Sequence, residues 1–122
     1  MEKRIDLDKE LLELAAKAAG IEVFWGRPSD DQDHNKLYLK ENSIMYTPKV
    51  WNPLVRDDHA LRLAVKLGLD VFHFDFKEPK GMQVWAAKPG NEAIRELLGN
   101  DPYAATRRAI VRAASEIGRG ME

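Results

Sequence analysis

Between residues 69 and 87 the chain alternates with the period of a β-strand. Leu69–Phe76 sets Phe72, Phe74 and Phe76 on one side of an extended segment and Val71, His73 and Asp75 on the other, because successive strand side chains point to opposite faces. Lys77–Gly81 supplies turn chemistry, and Met82–Ala87 resumes the alternation, with Met82, Val84 and Ala86 against Gln83, Trp85 and Ala87. Two such runs joined by a short turn form an antiparallel hairpin. Pairing Phe76 with Met82 places Phe74 by Val84 and Phe72 by Ala86, which makes a core face, and sets His73 opposite Trp85 on the reverse face.

Elsewhere the chain reads mostly as helices punctuated by glycine. Leu7–Ala19 carries Leu7, Leu11, Leu14, Ala15 and Ala18 at helical spacing, with Asp6 as N-cap and Gly20 as stop. Ile21–Trp25 reads as a short strand and Gly26–Asn35 as a polar surface loop. Lys36–Lys40 and Ser43–Thr47 read as strands joined across Glu41-Asn42, with Leu39 facing Ile44, Leu37 facing Tyr46, and Tyr38 meeting Met45 on the other face. A second helix is expected over Asp58–Leu67, capped by Asp57 and stopped by Gly68. Its buried stripe is Ala60, Leu61, Ala64 and Leu67, with Arg62 and Lys66 outside. A short helix over Glu92–Leu98 precedes a long one over Pro102–Ile117, capped by Asp101 and ended by Gly118, with Tyr103, Ile110, Val111, Ala114 and Ile117 as its stripe. This order predicts one α+β domain over residues 1–122, with a mainly antiparallel sheet of about five strands. Helices on both faces, the first covering the reverse face, make a helix–sheet–helix sandwich. The alternative is a two-layer domain whose bare sheet face is an interface.

Composition narrows the chemistry. Nineteen basic and 20 acidic residues leave a net charge of −1, which exerts no global pull toward nucleic acid or membrane. The lack of cysteine excludes disulfides, a thiol nucleophile and a cysteine zinc site. No apolar stretch approaches the ~20 residues of a spanning helix, and the first ten residues lack a signal peptide's apolar core, so a cytoplasmic protein is expected. There is no glycine-rich phosphate loop and no nucleophile elbow. His34, His59 and His73 share no metal-binding spacing. Asp30-Asp31-Gln32-Asp33-His34 is oxygen-rich, but it lacks the glycine and glutamate of a calcium loop and reads as a solvated turn. Asp57-Asp58-His59 reads as helix capping, with no partner identifiable for His59 as a general base. The expectation is a non-enzyme with no metal and no cofactor.

Binding candidates remain. His73 beside Trp85 can stack a base, cradle a peptide or pack under a covering helix. Arg108, Arg112 and Arg119 fall along the outer side of the last helix, where they can meet phosphates, a protein partner or internal carboxylates such as Glu116. Trp51-Asn52-Pro53-Leu54 has a structural role of its own. Pro53 biases Asn52 to an extended conformation, and Asn52 can bond its own backbone to shape the turn.

Three blocks resemble small accessory proteins of tailed bacteriophages and prophages, similar to the phage "ABA sandwich" domain group. They are Leu11–Gly20, Trp51–Leu54 with Ala60–Gly68, and Asp101–Ala114. The resemblance implies helix–sheet–helix layering and a phage origin, and it transfers no catalytic residue. At Val55-Arg56-Asp57-Asp58-His59 the chain departs from those proteins, which carry Asp-Asp-Gly-Asp there. The function expected on these grounds is binding a host factor or defence component in the host cytoplasm, as an anti-defence inhibitor such as a CRISPR–Cas inhibitor would. The contact residues expected are His73, Trp85, Arg108, Arg112 and Arg119. The alternatives are an oligomeric sponge sequestering a nucleotide signal through Arg108 and Arg112, a small hydrolase, or a nucleic-acid binder. A homo-oligomer is compatible with all of them.

Overall fold

The long apolar periodicities become helices. A computed structural model of the chain, which describes residues 2–30, 32–40, 49–77 and 81–121, places α1 at Glu2–Ala19, α2 at Asp57–Leu67 and α3 at Pro102–Arg119. Five strands complete an α+β fold: β1 (Val23–Trp25), β2 (Leu37–Leu39), β3 (Asp70–Asp75), β4 (Met82–Ala87) and β5 (Ile94–Leu97). All pairings are antiparallel, and the strands divide into a β1–β2 pair and a three-stranded sheet ordered β3-β4-β5. The expected class, strand number and helix-on-sheet packing are therefore present.

Helix ends follow local chemistry. The Asp101 carboxylate accepts a hydrogen bond from the Ala104 N–H at 3.0 Å, and Pro102 opens the first turn of α3, as the sequence indicates. Gly68 ends α2 in the left-handed conformation (φ 66°) that glycine adopts without strain. Two expected caps are corrected. Asp6 lies inside α1, and Asp57 is the first residue of α2, whose N-cap position holds Arg56 with no side-chain cap bond. Gly118 does not stop α3 but lies within it, where it meets α1.

The core is built on α3, which two apolar clusters share. Ile110, Val111 and Ala114 join Leu11, Leu12, Ala15 and Ala16 of α1 and Leu63, Ala64 and Leu67 of α2. Ala109 and Ala113 instead meet Val84 and Ala86 of β4. The buried stripes are rotated from expectation. Leu12, Ala16 and Ala19 are buried on α1 while Leu7 is exposed; Leu63 replaces Leu61 on α2; Ala109 and Ala113 are buried on α3 while Tyr103 is exposed.

Two further expectations are corrected in the second sheet. Residues 94–97 form a strand rather than a helix, because the open edge of β4 offers them backbone partners from Gln83 to Ala86. The β3–β4 register also differs by one residue: Asp75, not Phe76, pairs with Met82, and His73 pairs with Val84 rather than Trp85. The cause lies in the turn. Lys77 takes a positive φ of 60°, its N–H donates to Asp75 Oδ1 at 2.9 Å, and Phe76 N–H bonds the Gly81 carbonyl. The loop therefore closes one residue early, and β3 turns its other face to the helix. The expected Ser43–Thr47 strand and its pairings lie outside the described residues. β2 pairs with β1, and Tyr38 bridges Val50.

Candidate functional site

The reversed face of β3 leaves a row of aromatic side chains exposed. Small residues, Val84 and Ala86, face α3 with no exposure. The large aromatics point the other way: Phe72, Phe74 and Phe76 are 51%, 38% and 37% exposed. Phe74 lies at the centre, with ring centroids 5.9 Å from Phe72, 5.7 Å from Phe76 and 5.0 Å from Trp85. Trp85 stacks on Phe76 at 5.8 Å and donates its indole N–H to Gln83 Oε1 at 3.1 Å. The Arg95 guanidinium sits 4.3 Å from the Trp85 ring centroid, within cation–π range. A shallow pocket of about 450 Å³ lies between these groups and Leu97.

The sequence-predicted contact residues do not form one site. Trp85 is on this outer face, whereas His73 is on the helix side of the sheet, with Nε2 2.9 Å from Thr106 Oγ1. Thr106 donates its hydroxyl proton to the Pro102 carbonyl at 2.7 Å. It therefore accepts from His73, whose Nε2 carries the proton. The three arginines of α3 are engaged within the fold. Arg108 pairs with Asp8 at 3.0 Å, Arg112 with Glu96, and Arg119 with Glu10 at 3.0 Å and Glu116 at 3.2 Å. Arg107 clamps α3 to the start of α2, donating to the Leu54 carbonyl at 2.8 Å and pairing with Asp57 at 2.6 Å. Arg95 was missed because its segment reads as a helix. The Phe72–Phe76 alternation marks one aromatic face, and the expectation that this face is core is corrected: the observed register turns it outward.

A second concave region lies between α2 and the β1–β2 pair, with a volume of about 1300 Å³. His59 stands in its wall, and Nδ1 accepts the Asn52 backbone N–H at 2.9 Å while Asn52 Oδ1 accepts from Leu54 N–H at 3.0 Å. The expected turn at Trp51–Leu54 is thus present, and His59 is part of it. Burial pushes the His59 imidazole below its ordinary value, with Arg56 and Arg62 adding to the effect and Asp58 opposing it. The Arg56 guanidinium holds Asp58 at about 2, so Asp58 stays ionised throughout the histidine range.

Because His59 has a depressed folded-state pKa, the unfolded chain binds more protons between that pKa and about 6.5. Its contribution to stability is present above about 6.5 and lost as pH falls through that window. Urea midpoints of the wild type should therefore fall more between pH 7.5 and 5.5 than those of His59→Gln. Equal falls would show that His59 is not linked to folding. Among the described residues, no group of three acidic or histidine side chains could hold a metal ion, and no helix is long and apolar enough to cross a membrane. In comparisons with known proteins, the chain matches no family model, no curated protein and no solved structure.

Proposed function

We propose that this chain is a non-catalytic binding protein of the phage-accessory kind, which grips a protein partner on the outer face of its β3-β4-β5 sheet. The observation that carries the reading is the inversion of that sheet, with alanine and valine inside and a contiguous Phe72–Phe74–Phe76–Trp85 cluster outside. Covering a phenylalanine side chain is worth about 1.5–3 kcal/mol, so an exposed cluster of this kind leaves binding energy unused until a partner arrives. Aromatic and arginine residues are also the types that dominate interface energetics.

Arg95 supports a protein occupant. It is stacked on Trp85 and has no carboxylate partner among the described residues, so a partner with an apolar contact segment and an Asp or Glu beside it is complementary. A nucleic acid fits less well. Among the described residues, Lys77 at the end of β3 is held by Asp75 at 3.2 Å, and a phosphate backbone calls for several unpaired cations. In the phage setting that the resemblance implies, the partner is a host or defence protein.

The test places a photo-crosslinking amino acid at Leu97, beside the aromatic pocket, or at Val65 on α2 as a control, in the cells that naturally carry the protein. One protein should crosslink from position 97 and not from 65, and Phe74→Ser or Arg95→Glu should abolish the product. A product consisting of two copies of this chain would make the face a self-association surface instead. Equal labelling from both positions would overturn the reading.

A further inference from the structure

We infer that the cleft between α2 and the β1–β2 pair binds a nucleoside polyphosphate, at a site separate from the aromatic face and independent of its role. Among the described residues, six cations line the cleft, Lys36, Lys40, Lys49, Arg56, Arg62 and Lys66, against two carboxylates, Glu22 and Asp58. The local balance is four positive charges in a chain whose net charge is −1. Arg56 binds both oxygens of Asp58 at 3.1 Å, which removes that carboxylate as a partner for the others. The remaining five cations make no ion pair among the described residues.

This contrasts with α3, whose Arg107, Arg108, Arg112 and Arg119 are each paired with a carboxylate. Like charges gathered without counter-charges repel one another, and a concave wall concentrates their field on whatever enters. A nucleoside di- or triphosphate carries about three to four negative charges at neutral pH, which matches the surplus.

The walls arise from separate parts of the chain. Arg62 and Lys66 stand one turn apart on α2, and His59 precedes Arg62 by three residues, so all three share one side of the helix. Lys36 and Lys40 flank β2, and Lys49 is fixed beside it by the hydrogen bond from Leu39 N–H to its carbonyl at 2.8 Å. His59 adds a directed donor. Its Nδ1 is occupied by Asn52, so the neutral ring carries its proton on Nε2.

Lysines supply flexible point charges suited to several phosphates, and exposed Val50 and Val55 give the same cleft an apolar part for the nucleoside. The volume exceeds that of the usual small-molecule pocket of ~300–1,000 Å³, leaving room for the hydrated phosphates.

Isothermal titration calorimetry with the four ribonucleoside triphosphates, adenosine and inorganic tripolyphosphate tests the proposal on the full chain. At least one triphosphate should bind at micromolar to low-millimolar concentration, with affinity falling as salt rises. Adenosine should bind at least tenfold more weakly than ATP. Arg62→Glu with Lys66→Glu should reduce triphosphate affinity at least tenfold while the circular dichroism spectrum and melting temperature hold, since both side chains are exposed. Phe74→Ser should leave nucleotide binding unchanged, which separates this site from the aromatic face. The proposal is overturned by no binding of any triphosphate at 5 mM, roughly the weak millimolar limit of specific recognition. It is equally overturned by undiminished binding in the double variant, or by tripolyphosphate binding as tightly as the nucleotides.

Discussion

Replacing Gly118 by alanine should cost about 2–3 kcal/mol and lower the melting temperature by roughly 10 °C, although alanine is the better helix former by about 1 kcal/mol. The reason is the crossing of α3 over α1. A Cβ at position 118 would lie 2.0 Å from the Leu14 carbonyl oxygen and 2.8 Å from its carbon. Those are backbone atoms in the middle of a helix, so no side-chain rotation relieves the overlap. The helices must separate, and the Ile110–Val111–Ala114 contact with Leu11, Leu12 and Ala15 loosens with them. Gly120→Ala is the matched control. Its Cβ would be 3.6 Å from the nearest atom, an ordinary contact, and its φ of −82° suits alanine. Thermal melts of the two variants should differ by most of that 10 °C. Similar melts would mean that α1 and α3 do not approach closely at Gly118.

The same glycine shows where sequence reading reaches its limit. Helical periodicity was enough to locate α1, α2 and α3, because each carries three or more turns of apolar repeat. A glycine near a helix end, however, reads as a stop whether it terminates the helix, as Gly68 does, or admits a neighbour, as Gly118 does. Only the partner helix distinguishes the two cases. Ile94–Leu97 illustrates tertiary override, since its strand conformation is set by the open edge of β4 and not by its own residues. The arginines of α3 read as a row with Glu116 as one internal partner, which Arg119 meets, but the other carboxylates lie as far off as Asp8 and Glu10, so those pairings were not legible. The basic cleft is assembled from β2, the Lys49 segment and α2. Its one local trace was the spacing of His59, Arg62 and Lys66, which reads equally as a solvated helix face.

Register is the sharpest case and yields the second large effect: Val71→Asp should destabilise the protein by about 3–5 kcal/mol, whereas Phe74→Ser should cost under about 2 kcal/mol. The alternation in β3 names two sets of residues, and a slip of one place exchanges them. With Phe76 opposite Met82 the phenylalanines would be core and Val71 would be outside. With Asp75 opposite Met82, Val71 lies across from fully buried Ala86 and packs against both apolar clusters. Aspartate is close to valine in size, so Val71→Asp chiefly adds an unpaired carboxylate to an apolar setting. Phe74→Ser removes its ring contacts with Phe72, Phe76 and Trp85, but from a side chain already 38% exposed. Urea unfolding of both variants should therefore give a large loss of midpoint for Val71→Asp and a small one for Phe74→Ser. The reverse order would turn the phenylalanines inward and remove the aromatic face as a binding surface. Because period two allows no intermediate arrangement, the pair of midpoints decides which side of the sheet meets a partner.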